Sequence, residues 1–163
     1  MFRVAPALAD EADALTALVR GSAAYPGEYR VMVAGQRLDA AYLHANVVRV
    51  VRGADGRVWG FYSLLFPGHG GPGEAELDFM FVANDRQGQG IGTVLFADMR
   101  AVAEERGASR VHIVSHPPAE PFYLANGAQR IGMLAPSGRA TWHRPHLVLE
   151  LSGTPALAGV GAR

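Results

Sequence analysis

Three glycines at alternate positions, Gly88, Gly90 and Gly92, lie where an apolar strand ending at Val82 gives way to an amphipathic helix beginning at Ile91. A glycine has no Cβ, so backbone at such a junction can approach a ligand closely. The N–H groups in the first turn of a helix have no intrahelical acceptor, and the helix dipole makes this end positive. The junction therefore predicts a pocket for an anion, most often a phosphate or a pyrophosphate.

The residues around these glycines exclude two well-known phosphate loops. The Walker loop ends in Gly-Lys followed by Ser or Thr, and this chain has no such ending. The dinucleotide fingerprint needs a glycine three residues after Gly90, where this chain has Thr93. It also needs an early strand and an acidic residue at the end of a second strand. Here the glycines come after mid-chain, and the acids that follow, Glu104 and Glu105, belong to the predicted helix.

What remains is the pattern Gln87-x-x-Gly90-x-Gly92 between a strand and a helix. This pattern resembles the coenzyme A pyrophosphate loop of the GNAT superfamily, the acetyl-CoA-dependent N-acetyltransferases. The resemblance implies acetyl-CoA as co-substrate, without a metal. It also implies that backbone groups at Phe81 and Val82 pair with the pantetheine amides, and that one N–H there polarises the thioester carbonyl. The implied coenzyme contacts are Phe81, Val82, Gln87, Gly88, Gln89, Gly90, Ile91, Gly92, Thr93, His116 and Phe122.

A second segment carries the chemistry. Residues 119–128 read A-E-P-F-Y-L-A-N-G-A and resemble the GNAT segment Ala-x-x-Phe-Tyr-x-x-x-Gly-Phe/Ala. The tyrosine of that segment commonly donates a proton to the coenzyme thiolate, so the resemblance gives this role to Tyr123. A phenol has an unperturbed pKa of about 10 and is protonated at neutral pH. The alternative is that Tyr123 only packs on the sheet.

Many family members have an Asn just before this segment that contacts the pantetheine. This chain has His116 there, and its imidazole can still donate or accept a hydrogen bond.

An amine acceptor must lose a proton before it attacks, so a base is expected. Glu76 and Asp78 are two positions apart on one predicted strand, and both should point to the same face of the sheet. Glu76 lies eleven residues before Gln87, the offset of the catalytic glutamate in some family members, including histone acetyltransferases. We predict that Glu76 is the base, directly or through water. The alternative is that Glu76 only accepts backbone hydrogen bonds or lines the cleft.

The acceptor contacts come from segments that wall the acceptor site in the family. The loop after the first helix contains Tyr25 and Tyr29, and the last loop contains His143. Together with Asp78, we expect these residues to contact the acceptor; for the two tyrosines the alternative is that they are ordinary exposed loop residues. The spacing His143-x-x-His146 does not predict a metal site, because neither residue lies on a predicted helix and no third ligand is evident.

Composition restricts the function classes. The chain has 163 residues, 49% of them hydrophobic, with fifteen basic and fifteen acidic residues and no cysteine. We therefore predict one globular domain without a basic surface for nucleic acid or a membrane, and without disulfides or a thiol nucleophile. No apolar run approaches the roughly 18–20 residues of a membrane span. The N-terminus does not resemble a signal peptide, so a cytoplasmic location is the default expectation.

The elements that position these residues follow from the hydrophobic periodicity. We predict strands at 2–4, 47–52, 58–66, 74–82, 110–114, 128–133 and 146–151, and helices at 10–21, 31–45, 91–106 and 119–126. Asp10 should cap the first helix, Gly35 interrupts the second, and 67–73 should be a glycine-rich loop. Residues 152–163 are predicted as a disordered tail.

This order of elements is that of the GNAT fold. The predicted class is mixed α/β, with a central, mostly antiparallel sheet of six or seven strands that is splayed between the fourth and fifth strands and flanked by about four helices. The domain should cover residues 1–151.

The predicted function is transfer of the acetyl group of acetyl-CoA to a primary amine by direct attack in a ternary complex, since no cysteine is present to form an acyl-enzyme. A small-molecule amine is favoured because the neutral chain shows no sign of an acidic groove for a peptide. The alternatives are a protein N-terminal or lysine acetyltransferase, a non-catalytic acyl-CoA-binding module, and a structural domain with a glycine turn. Dimers are common in the family, which leaves a homodimer open.

Overall fold

The computed structural model describes residues 2–151, so the predicted tail at 152–163 lies outside the described residues. The strands are β1 (Val4–Pro6), β2 (Val47–Arg52), β3 (Val58–Leu65), β4 (Ala75–Val82), β5 (Arg110–Val114), β6 (Gln129–Leu134) and β7 (Arg144–Glu150). The α-helices are α1 (Ala12–Arg20), α2 (Val31–Ala34), α3 (Ala40–Ala45), α4 (Ile91–Glu105) and α5 (Glu120–Ala125). The strands form one sheet in the order β1-β2-β3-β4-β5-β7-β6.

Within the described residues, β4 and β5 are parallel and every other neighbouring pair of strands is antiparallel. This mixed sheet with flanking helices confirms the predicted fold class. No helix in residues 2–151 is long and apolar enough to cross a bilayer.

Helices cover both faces of the sheet with apolar residues four positions apart, the spacing of one helical face. On one face α4 buries Leu95 and Met99 completely. On the other face α1 buries Leu15 and Val19 against Phe61. Full burial of such a side chain contributes roughly 1.5–3 kcal/mol. The two packed layers hold the centre of the sheet in place, and with it the end of β4.

Strands β4 and β5 separate after a short paired stretch. Their register runs from Ala75 opposite Val111 to Leu77 opposite Ile113 and then ends. Beyond Leu77, β4 continues to Val82 paired with β3 alone. The predicted splay is therefore confirmed, and it opens a gap beside the second half of β4, where the glycine loop follows.

Strand β4 also contains one extra residue. The pairing of β3 with β4 shifts by one position between Ser63 and Leu64, which leaves Asp78 without a partner in β3. Such a bulge interrupts the alternation of side chains along a strand. As a result Glu76 and Phe81, five positions apart, line the same pocket instead of facing opposite sides.

The predicted cap of the first helix is wrong. A 3-10 turn at Ala9–Glu11 precedes α1, and Asp10 does not cap the helix. The Leu8 N–H instead donates to the Glu11 carboxylate at 2.8 Å. The terminal strands also differ from expectation. Strand β1 lies at Val4–Pro6, where it pairs with β2, and β7 begins at Arg144, because its ladder with β6 extends beyond its ladder with β5.

The single helix predicted at 31–45 is two helices. Helix α2 ends before Gly35, and α3 begins after Asp39, whose carboxylate accepts the Tyr42 N–H at 2.8 Å. Between them the Leu38 backbone is tied to α1, since its N–H donates to the Thr16 hydroxyl at 3.0 Å. The Asp39 N-cap and the Leu38–Thr16 hydrogen bond thus replace the helical hydrogen bonds that are missing across the break.

Candidate active site

A cleft of about 510 Å³ opens where β4 leaves β5. We call it the glycine cleft; its lining includes Arg86, Gly88, Gly90, Gly92, Phe122 and Tyr123. Gly88 and Gly90 have φ of 79° and 88°, which is left-handed backbone that side-chain-bearing residues rarely adopt. The first turn of α4 also lines the cleft, and its amide groups have no acceptor within the helix. The backbone N–H groups therefore present positive partial charge, and no glycine side chain prevents an anion from approaching them, as an anion site requires.

Arg86 adds a full positive charge that the sequence analysis missed. Its guanidinium carbon lies 4.0 Å from the centre of the Trp59 ring, a cation–π contact that fixes the side chain. Its Nε is buried and has no hydrogen-bond partner among the described residues. Gln87, the next residue, donates to the Val82 carbonyl at 3.2 Å and ties the loop to the end of β4. The sequence does contain a sign of this role, because Arg86 directly precedes the pattern Gln87-x-x-Gly90-x-Gly92.

Tyr123 lines the same cleft. Its ring centroid lies 6.2 Å from that of Phe96 and 5.4 Å from that of Phe122, so the aromatic part is packed. Burial raises the pKa of the Tyr123 phenol above its ordinary value, which keeps the hydroxyl protonated at neutral pH. A half-buried phenol that stays protonated in a cleft can donate a hydrogen bond or a proton to a ligand atom.

Three aromatic rings are shared by the glycine cleft and a second pocket. Tyr25 stacks on His116 with ring centres 3.8 Å apart and on Phe81 at 5.5 Å. All three residues line both cavities, and we call them the aromatic wall. The two cavities therefore adjoin at the aromatic wall.

His116 is fixed in one tautomer. Its Nε2 lies 2.8 Å from the Ala24 carbonyl oxygen, which can only accept, so Nε2 carries the proton. Burial lowers the pKa of His116, and the ring is neutral at neutral pH. Its Nδ1 is buried and has no partner in the described part of the chain. This nitrogen is thus an acceptor held at the aromatic wall.

The second cavity, which we call the acidic pocket, has a volume of about 220 Å³. Its lining includes His69, Glu76, Asp78, Trp142 and Arg144. Asp78 accepts the Tyr42 hydroxyl at 2.5 Å, whereas Glu76 lies 3.2 Å from His69 Nδ1. Burial and the neighbouring Asp78 raise the pKa of Tyr42, which keeps it a donor to Asp78. Glu76 is 16% exposed and is the carboxylate without a phenol partner.

The predicted site residues divide clearly by position. Every implied coenzyme contact except Gln89 lines the glycine cleft, as Tyr123 does. Glu76, Asp78 and Tyr25 line the acidic pocket. Tyr29 instead packs edge-on against Trp142 at 4.8 Å, and His143 is exposed; neither lines either cavity. Within residues 2–151, no group of three His, Cys, Asp or Glu side chains is arranged to hold a metal ion.

Comparison with known proteins gives one family and many similar folds. Residues 20–128 match the model of the acetyltransferase (GNAT) family. Among curated proteins, none matches the sequence closely enough to count as a relative.

Two solved structures illustrate the similarity in fold. The ribosomal-protein-S18-alanine N-acetyltransferase from Escherichia coli superposes with a TM-score of 0.69 at 17% identity, over 94% of this chain and 96% of that chain. The PaiA N-acetyltransferase from Thermoplasma acidophilum, in complex with coenzyme A, superposes with a TM-score of 0.69 at 14% identity, over 92% and 99%. At these identities the likeness concerns the fold alone.

Proposed function

Because this chain belongs to the acetyltransferase (GNAT) family, we propose that it transfers the acetyl group of acetyl-CoA to the primary amine of a small molecule. The observation that carries the proposal is the meeting of two cavities at one aromatic wall. Tyr123, a half-buried phenol, lines the glycine cleft, and Glu76, a carboxylate without a phenol partner, lines the acidic pocket. An acid and a base on opposite sides of a reacting carbonyl are what acyl transfer needs.

The glycine cleft has the features that acetyl-CoA requires. Gly88, Gly90 and the first turn of α4 would hold the pyrophosphate, with Arg86 supplying charge. The open edge of β4 at Phe81 and Val82 offers backbone groups to the pantetheine amides. The free Nδ1 of His116 would accept one N–H of the same arm. A backbone N–H at this edge would polarise the thioester carbonyl.

The reaction then follows from the two cavities. The acceptor amine lies in the acidic pocket and gives a proton to Glu76. Its lone pair attacks the thioester carbonyl at the aromatic wall, in a ternary complex. Tyr123 donates its proton to the departing thiolate, and the second proton lost by the attacking nitrogen returns to the Tyr123 phenolate, so the products are the neutral amide and the free thiol of CoA. The sequence contains no cysteine, and thus no thiol for a covalent acetyl-enzyme.

The shape and charge of the acidic pocket support a small, cationic acceptor. A volume of about 220 Å³ accommodates a compact amine rather than a folded chain end. Glu76 and Asp78 bring two carboxylates to its lining, against one guanidinium from Arg144. An ammonium group is therefore attracted into the pocket before it is deprotonated.

The first experiment is thermal stabilisation by acetyl-CoA, with CoA, NAD and ATP as controls. Binding at 100 times Kd stabilises a protein by about 2.7 kcal/mol. We expect a shift with acetyl-CoA and CoA but not with NAD. An amine panel scored by thiol release follows, with short peptides bearing free N-termini or lysines as a separate arm. No shift with acetyl-CoA would refute coenzyme binding. Turnover of peptides alone would assign a protein acceptor, and stabilisation without any turnover would indicate a binding module.

A further inference from the structure

A polar cluster lies beside the acidic pocket, in a part of the sheet where apolar side chains would be expected. Glu76 and His112 are register partners on β4 and β5, and His146 lies on β7. His112 Nδ1 is 2.9 Å from His146 Nε2, and His112 Nε2 is 2.5 Å from the Glu74 carboxylate. His112 is buried. Burial of polar groups costs free energy unless they are paired, as these are. The presence of polar rather than apolar side chains at this place in the sheet still needs an explanation.

The glycine-rich loop 67–73 lies directly on this cluster. A Cβ on Gly68 would overlap Glu76, and a Cβ on Gly70 would overlap both His112 and the carboxylate of Glu74. Glycine at these two positions therefore lets the loop approach the sheet closely. The residue between them, His69, is thereby placed beside Glu76.

His69 connects Glu76 with water. Its Nδ1 is 3.2 Å from Glu76 Oε2, and both residues line the acidic pocket. The Glu76 side chain is only 16% exposed, whereas the His69 side chain is 51% exposed. The imidazole thus has one nitrogen at the shielded carboxylate and a large part of its ring in solvent. Imidazole takes up and releases protons near neutral pH better than any other side chain.

We propose that His69 is the proton outlet of the acceptor site, an inference that rests on the proposed acetyl transfer. The N–H bond of the substrate ammonium breaks, its electron pair stays on nitrogen to form the new C–N bond, and the proton moves to Glu76. Once Glu76 is protonated, the neutral His69 ring exchanges its proton through water from Nδ1 to the exposed Nε2, which frees Nδ1 as an acceptor. The Glu76 O–H then gives its proton to Nδ1. The imidazolium releases its Nε2 proton to water, which regenerates the carboxylate and the neutral imidazole with its proton on Nδ1. No oxidant, reductant or further reactant is needed.

The surroundings of His69 suit this role. The ring of His146 approaches it from β7 with centroids 6.1 Å apart. Burial, with His112 and His69 nearby, lowers the pKa of His146, which leaves that ring neutral beside a transient imidazolium. The Glu74–His112 pair lies behind His146, and Asp78 and Arg144 are the other charged residues lining the pocket. Glu76 is the carboxylate in direct contact with His69.

The test compares His69→Gln with a matched control, His44→Gln, which changes an exposed histidine on α3. With the best amine of the panel, kcat of the His69 variant should fall at least about tenfold in dilute buffer, less than the 10²–10⁴-fold loss typical of removing a general acid or base. Added imidazole should restore kcat, because a mobile base can take the proton that the side chain no longer carries. The KM for the amine should not change, and the control variant should behave as wild type.

A normal kcat in the His69 variant, or a loss that imidazole does not restore, would overturn the proposal. A second measurement does not depend on turnover. In protein with ¹⁵N-labelled histidine, the ring shifts of His69 should report a proton on Nδ1, directed at Glu76, and this proton should move to Nε2 in Glu76→Ala, which leaves Nδ1 without that acceptor. Identical shifts in both proteins would refute the contact. A wild-type protein that acetylates no amine would refute the proposed function instead, and the shifts would still test the contact.

Discussion

Gly90→Asp should greatly weaken the binding of acetyl-CoA. The effect of the new charge on binding can be separated from any effect of the substitution on folding. Gly90 has φ of 88° and ψ of 4° at the start of α4, and an added Cβ would meet no protein atom within 4 Å. The side chain would therefore enter the open glycine cleft without a clash. A residue other than glycine in left-handed backbone costs about 1–2 kcal/mol. Asn and Asp tolerate this conformation better than most residues, so both should fold.

The comparison of Gly90→Asp with Gly90→Asn isolates the charge, because the two side chains have the same shape. A carboxylate about 5 Å from one phosphate charge, at an effective dielectric of about 20, costs about 3 kcal/mol. This corresponds to a Kd for acetyl-CoA at least about 100-fold weaker for Asp than for Asn. The difference in Kd between the two variants should decrease as salt is added, since ions screen the repulsion.

Titration calorimetry with acetyl-CoA at low and high salt measures this difference. Gly56 in the β2–β3 hairpin is the control position, with φ of 83° and open space around an added Cβ. Gly56→Asp and Gly56→Asn should lose similar stability and bind acetyl-CoA equally well. Equal affinity of the two Gly90 variants would refute the placement of the pyrophosphate at this loop.

Three further outcomes are expected. Tyr123→Phe should lower kcat by about 10²–10⁴-fold while the Kd for acetyl-CoA is unchanged; a normal kcat with the best amine would remove Tyr123 as the acid. Arg86→Ala should weaken acetyl-CoA binding by about 1.5–3 kcal/mol, because a charged donor to phosphate is lost, and an unchanged Kd in calorimetry would exclude that contact. The pKa of His116 is below its ordinary value in the folded protein, so below about pH 6.5 the unfolded chain binds more protons and stability falls, by up to about 1.4 kcal/mol per pH unit. Denaturation at several pH values should therefore show a shallower loss for His116→Asn than for wild type or His44→Asn, and parallel curves would contradict this.

Much of the frame that holds the site was predictable, because glycine and apolar periodicity act locally. The helix that begins at Ile91 and the strand before Gln87 follow from patterns within about twenty residues. Burial of Leu95 and Met99 on one side of α4 follows from the same periodicity. These elements alone place the glycine loop at the end of β4.

The parts that escaped prediction depend on contacts between distant segments. The family resemblance implies a bulge near Phe81 and Val82, but its position at Asp78 is a property of the β3–β4 pairing that strand alternation within β4 does not show. His69 looks like an ordinary loop residue until the loop is folded onto Glu76. The break of the second helix before Asp39 likewise depends on an anchor to Thr16 in another helix. Tertiary contacts decided each of these features over local propensity.

The aromatic wall has a thermodynamic consequence. The rings of Tyr25, Phe81 and His116 face both cavities, so a molecule bound in either one touches the same side chains. Any shift of these rings caused by one bound molecule changes the binding affinity for the other, and thermodynamic linkage makes that effect reciprocal. The factor by which the coenzyme changes the affinity for the amine must equal the factor by which the amine changes the affinity for the coenzyme. In the ternary complex proposed above, the wall would thus couple the two substrates before any bond is made or broken.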